Sequence, residues 1–153
     1  METQITLDTN AVDSTRARTV GKYVTAAARV LLGFMFVLFG LNGFLSFLPP
    51  PSTMPPDGAV AFGGALMATG YMFPLIKGTE VIVGILLLSN RFVPLALALI
   101  APVIVNICAF HAFLAPTGLG MALVILALEL GLAWAYRSAF RPMLAMSTPP
   151  PAR

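Results

Sequence analysis

Four long apolar runs, separated by short polar or proline-containing segments, organise most of the chain. A helix needs about 20 residues to cross the hydrocarbon core of a bilayer, and the runs are of roughly this length. They cover residues 23–48, 74–89, 92–114 and 118–137. A shorter apolar run that contains glycine, at 59–71, lies between the first two. The pattern predicts an all-α integral membrane four-helix bundle, with an extra short interfacial or re-entrant helix between helices one and two.

The segments outside these runs set the predicted domain boundaries. Residues 1–22 are polar and carry both signs of charge, which predicts a flexible cytoplasmic tail. Prolines at 49–51 and 55–56 end the first helix. The end of the chain, 142–153, is rich in proline and predicts a second flexible tail. We therefore expect one transmembrane bundle over residues 23–141.

Composition supports the membrane class and excludes a typical soluble protein. Hydrophobic residues make up 58% of the chain, charged residues make up 10%, and the mean hydropathy is +0.90. The net charge of +3 does not indicate a nucleic-acid partner, because the basic residues stand at the ends of apolar runs, where they act as topology signals. The expected environment is the lipid bilayer.

Basic residues mark one side of the predicted bundle. They flank the ends that would meet on this side: Arg16, Arg18, Lys22, Arg91, Arg137 and Arg141. The loops at 49–58 and 115–118, on the opposite side, contain no Lys or Arg. Because cytoplasmic loops carry an excess of Lys and Arg, we expect a multi-pass protein with both termini in the cytoplasm.

Charged side chains within the apolar runs are the main candidates for a site: Arg29, Lys77, Glu80 and Glu129. Charge at this depth costs free energy, so such residues usually face the bundle interior and pair. Lys77 and Glu80 are three residues apart on one helix and can pair directly, and Arg29 has a stem long enough to approach either carboxylate. The sequence predicts a buried charge network, which either locks helix register or forms a proton- or redox-linked site.

Small residues share the helix faces of these charges. The face of Arg29 continues with three glycines, Gly33, Gly40 and Gly43. On the second helix, Gly84 follows Glu80 by four residues. Because small residues let membrane helices approach closely, we expect the charged faces to point inward.

Three further polar residues, Asn42, Asn106 and His111, lie in the outer halves of helices one and three and are candidates for ligand binding or for bonds between helices. His111 is the single histidine and Cys108 the single cysteine. These residues give no self-contained metal, haem or dithiol site, so no intrinsic cofactor is predicted.

Several segments together resemble the DoxX family of small four-helix bacterial membrane proteins. They are Arg29-Val-Leu-Leu-Gly33, the pattern F-x-x-x-x-x-G-x-N-G after it, TGYMFPLIKGTEVIVGILLLSNRFVPLALALIAPVIVNI and LALELGLAWAYR. The resemblance covers residues 24–144, and Arg29 and Glu80 with Gly84 are its most family-like parts. It implies a bundle in the bacterial inner membrane and a loose connection to quinone- and thiol-linked redox systems.

Two functions follow from these expectations. In the first, the protein is an accessory protein or subunit of such a redox system and holds a quinone beside Arg29, Glu80 and Glu129, where carboxylates exchange protons with it. Electron transfer would then need the bound quinone or a redox partner protein. In the second, the protein is a structural or small-solute-handling membrane protein without catalytic activity, whose charges serve helix assembly. Small-residue faces fit either a single bundle or a homo-oligomer.

Overall fold

The computed structural model describes residues 2–49 and 54–147, with side chains at 16, 18–49 and 54–147. Every regular element in these residues is helical. The α-helices are α1 (Glu2–Leu45), α2 (Asp57–Ala68), α3 (Met72–Leu88), α4 (Val93–Phe113), α5 (Leu119–Ala135) and α6 (Arg137–Phe140). Two 3-10 turns, at Pro116–Gly118 and Arg141–Leu144, precede α5 and follow α6.

Several of these helices are long and apolar enough to cross a membrane. Three qualify individually, over Arg18–Leu45, Val93–Phe113 and Pro116–Ala135. The helices α2 and α3 qualify together as a pair that is bent by 92°. The all-helical class and the apolar spans are therefore confirmed, whereas an interfacial or re-entrant position for α2 stays a prediction.

Helix boundaries differ from the predicted ones mainly at the start of the chain. The first helix begins at Glu2 rather than at 23, so the stretch that we expected to be a flexible tail continues α1. No proline occurs before Pro49, and nothing interrupts the hydrogen-bonding pattern of the helix. The predicted second tail begins within the turn Arg141–Leu144, and its residues 148–153 lie outside the described residues.

The ends of the first two helices have local causes. After α1, Ser46 adopts a left-handed conformation (φ 49°), and the side chain of Asn42 accepts a hydrogen bond of 2.7 Å from the Leu48 backbone nitrogen. After α2, Gly70 takes φ 75°, which favours glycine because a β-carbon is disfavoured there. Helices α1 and α3 lie side by side.

Helices α1, α3, α4 and α5 form a closed ring in which each contacts the next, and α5 returns to α1. Aliphatic and aromatic side chains fill its centre: Leu32, Phe36, Val83, Leu87, Leu97, Ile100, Ile104 and Leu132. Many large apolar residues remain exposed outside, among them Phe34, Ile82 and Leu130. A largely apolar outer surface of this kind suits contact with lipid.

The closest approach in the ring joins α1 and α3, which run antiparallel. Gly33 lies opposite Gly84 and Leu87, Gly40 lies opposite Glu80 and Val81, and Gly43 lies opposite Lys77. These are the small residues that the sequence placed on the charged faces. The prediction that the charged and small-residue faces coincide is confirmed for α1 and α3.

Candidate functional site

An ion pair between Lys77 and Glu80 is the centre of the site. The Lys77 Nζ atom lies 2.8 Å from Glu80 Oε2 and 3.0 Å from Glu80 Oε1. Glu80 is only 3% exposed, whereas the side chain of Lys77 is partly exposed. The spacing of three residues places both groups on one face of α3, so the predicted pairing is present.

Glycines of α1 leave room for this pair. A β-carbon added to Gly43 would lie 2.6 Å from both Cγ and Cδ of Lys77, and one added to Gly40 would lie 3.1 Å from the Glu80 β-carbon. The lysine stem therefore passes across α1 where a larger side chain would block it. Contact between backbone and stem holds the ammonium group over the carboxylate.

His111, on the last turn of α4, is positioned by a backbone bond. Its Nδ1 atom lies 2.9 Å from the Ala115 carbonyl oxygen. A carbonyl oxygen only accepts, so Nδ1 donates, and in the neutral ring Nε2 is left as an acceptor. The ring packs edge-on against Phe110 at 5.1 Å between centroids, and Gly118 lies so close that a β-carbon there would collide with the imidazole.

Two clefts meet at these side chains. The first, the α2–α4 cleft, has a volume of about 400 Å³ and an apolar wall formed by Phe62, Leu66, Phe73, Ile76, Val103 and Phe110. The second, the α1–α5 cleft, has a volume of about 370 Å³ and is lined by Met35, Phe36, Phe39, Met121 and Ile125. Lys77, Glu80, Ile107 and His111 line both clefts. The wall that the clefts share thus presents an ammonium group, a carboxylate and an imidazole.

Arg29 does not join this wall. Its Nη1 atom donates to the Leu87 carbonyl oxygen and lies 3.4 Å from that of Leu88, at the C-terminal end of α3. The Leu87 carbonyl oxygen also accepts a 3.2 Å bond from the Asn90 backbone nitrogen, so Arg29 adds a second donor at the end of the helix, where a cation complements the helix dipole. In the described residues Arg29 forms no ion pair with either carboxylate.

Helix register explains this difference from the predicted network. The antiparallel contact places Arg29 beside Leu87, seven residues from Glu80 along α3. At about 1.5 Å of rise per residue, this separates them by roughly 10 Å along the helix axis. Arg29 therefore bonds to the nearer carbonyl groups.

Glu129 is also separate from the pair. It is 6% exposed and shares its face of α5 with Ala122, Ile125 and Leu132. Its Oε2 atom has no hydrogen-bond partner in the part of the chain that the structure describes. Neither cleft is lined by Glu129. Of the four predicted intramembrane charges, the structure brings together only Lys77 and Glu80.

Of the three polar candidates outside the charge network, only two lie at a cleft. Asn106 and His111 line the α2–α4 cleft, whereas Asn42 stabilises the turn after α1. The sequence predicts that His111 lies in the outer half of its helix, but it was not predicted to meet Lys77. Comparison of their depths is the signal that could have found this group. No feature of the sequence indicated that α2 lines the cleft.

Comparisons with known proteins give no relatives for this chain. No family model, no curated protein and no solved structure matches it. The resemblance to the DoxX family therefore stays a prediction.

Proposed function

We propose that the chain is a DoxX-like membrane protein that holds a small lipophilic ligand with a polar headgroup, such as a quinone, in the α2–α4 cleft. The observation that carries the proposal is the combination of an apolar cleft of about 400 Å³ with Lys77, Glu80 and His111 on its wall. Ligand sites are typically apolar pockets with a few converging polar groups.

Each of the polar groups has a use in binding a quinone. The Lys77 ammonium group donates hydrogen bonds and suits a carbonyl oxygen of the oxidised ring. The Nε2 atom of neutral His111 accepts a hydrogen bond and suits a hydroxyl of the reduced ring. Glu80 and His111 are both groups able to exchange protons, which a quinone takes up together with electrons. In this account the electrons come from a redox partner protein, with the chain as its accessory subunit.

The proposed position of the cleft in the membrane suits a lipophilic ligand. Lys77 and His111 lie at one end of the bundle, and Lys22 and Arg137 lie at the other. With the basic end in the cytoplasm of a bacterium, the cleft lies in the outer half of the inner membrane. A lipophilic ligand would enter it sideways from the bilayer.

The test is mass spectrometry of lipids extracted from gently purified full-length protein. We expect the wild type to retain a quinone and Glu80→Gln to lose it. Glu129→Gln is the matched control, because it removes a buried carboxyl group that lines neither cleft, and it should retain the ligand. Absence of quinone from the wild type, or equal retention by both variants, would contradict the proposal.

A structural or small-solute-handling role without catalysis is the second candidate, and one observation favours it. Lys77 already contacts both carboxylate oxygens of Glu80 within the same helix, so the pair is complete without a ligand. In this case the pair serves assembly of the bundle, as a single copy or as a homo-oligomer.

The double variant Lys77→Met/Glu80→Met separates the candidates. Lys77→Met should destabilise the protein by about 3–5 kcal/mol, because it leaves the buried Glu80 carboxylate without its partner. Glu80→Met should cost less, because the side chain of Lys77 is partly exposed. The double change should recover much of this loss in either case. If the role is structural, the double variant should behave as the wild type, and neither should retain quinone. If the role is ligand binding, the wild type should retain quinone and the folded double variant should not.

A further inference from the structure

A basic cleft lies at the end of the bundle opposite to the proposed ligand site. It has a volume of about 720 Å³ and is lined by polar and charged residues from three separate parts of the chain: Arg18, Lys22, Arg29, Asn90, Tyr136 and Arg137. Its lining contains no Asp or Glu among the residues that the structure describes. Four cations around one concave surface attract an anion, because no carboxylate offsets them.

The fold holds two of these cations in place. Arg29 uses Nη1 for the carbonyl oxygens at the end of α3, while its remaining nitrogens have no partner among the described residues. Arg137 donates from Nη1 to the Trp134 carbonyl oxygen at 3.0 Å, and its guanidinium lies 5.0 Å from the centre of the Trp134 ring. Both guanidinium groups are thus oriented before a ligand arrives, which lowers the entropy cost of binding.

The surroundings of the cleft indicate its depth. Tyr23 and Trp134, which are next in sequence to the lining residues Lys22 and Ala135, are 73% and 71% exposed. Aromatic side chains of these types are enriched where a membrane meets water, at the level of lipid headgroups. The cleft also lies on the side that carries the topology-determining basic residues.

We propose that this basic cleft binds a phosphate group, most simply the phosphodiester of an anionic lipid headgroup. Guanidinium groups match phosphate oxygens in geometry as well as in charge, and Lys22 and Asn90 add further donors. The inference rests on placement of the chain in a membrane, but not on a quinone in the α2–α4 cleft.

The test measures phosphatidylglycerol binding to the full chain in a neutral detergent, with phosphatidylcholine as the uncharged comparison. The variant is Arg18→Gln/Lys22→Gln, since both residues are exposed and form no hydrogen bond or ion pair with the side chains that the structure describes. The matched control is Arg91→Gln/Arg141→Gln, which removes the same charge from the same end outside the cleft. Thermal unfolding confirms that both variants are folded.

The wild type should bind phosphatidylglycerol more tightly than phosphatidylcholine. The cleft variant should lose affinity for phosphatidylglycerol on the order of thirtyfold, while the control changes it by no more than about threefold. Equal weakening by both variants, or by neither, overturns the proposal, as does equal binding of the two lipids by the wild type.

Competition by inorganic phosphate distinguishes the sources of the ligand. If phosphate at millimolar concentration displaces phosphatidylglycerol from the wild type, the cleft recognises the phosphate group by itself. If it does not, the glycerol and acyl parts of the lipid contribute, and the ligand is the lipid. Both outcomes support a phosphate-binding cleft, and neither depends on quinone retention.

Discussion

Gly33 and Gly84 face each other at the contact between α1 and α3. A β-carbon on Gly84 would lie 2.7 Å from the Gly33 carbonyl oxygen and 2.6 Å from a methyl carbon of Val37. This contact fixes the register between the two helices. In this register Arg29 lies at the end of α3 and Gly43 lies against the stem of Lys77. Helix register and site geometry therefore depend on the same small residues.

Gly84→Ala should weaken the bundle. The added methyl group would meet backbone atoms of α1, which cannot rotate away, so we expect a loss of about 1–3 kcal/mol in the free energy of unfolding. Gly78→Ala on the same helix is the control, because a β-carbon there meets nothing within 4 Å. Unfolding in mixed detergent measures both. Equal stability of the two variants would show that close contact at Gly84 is not needed.

Arg29→Gln should destabilise the protein without changing the α2–α4 cleft. Removal of charged hydrogen bonds to the end of α3 is expected to cost about 1.5–3 kcal/mol. Arg91→Gln, at an exposed position, should stay within about 0.5 kcal/mol of the wild type. Quinone retention should be the same in both variants at a temperature where they are folded. A loss of quinone from folded Arg29→Gln would instead support the charge network that the sequence predicted.

Gly118→Ala should act on the site through His111. Its β-carbon would collide with the imidazole ring, so the ring must move and lose its bond to the Ala115 carbonyl oxygen. We expect reduced quinone retention and a shifted imidazole signal in NMR spectra. Gly120→Ala, where the added carbon meets nothing within 4 Å, should leave both unchanged. An unmoved imidazole signal in Gly118→Ala would refute this coupling.

Most of the fold could be predicted from the sequence because strong local signals mark the helices. Apolar runs give the spans, and prolines at 49–51 and 55–56 separate α1 from α2. The start of α1 was missed because a polar composition was interpreted as a flexible tail, although residues 2–22 contain no proline. Composition alone does not distinguish an exposed polar helix from an unstructured segment.

Only the local part of the site could be predicted. Lys77 and Glu80 lie on one helix, where a spacing of three residues determines their contact. The surroundings of Arg29 and Glu129 depend on the register between helices, which a single sequence does not supply. The proximity of His111 on α4 to Lys77 on α3 also depends on how the helices pack. The basic cleft likewise combines residues of α1 with residues beyond α5, which only the closed ring brings together.

Photo-crosslinking with an azido-quinone, followed by peptide mass spectrometry, tests the central claim most directly. The account predicts labelling of the α2–α4 cleft, at residues such as Phe62, Asn106 and Phe110, and competition by unlabelled quinone. Labelling should fall in Glu80→Gln and persist in Glu129→Gln. Labels spread over exposed apolar residues such as Phe34 and Leu130, without competition and unaffected by Glu80→Gln, would contradict a quinone site at the Lys77–Glu80 pair.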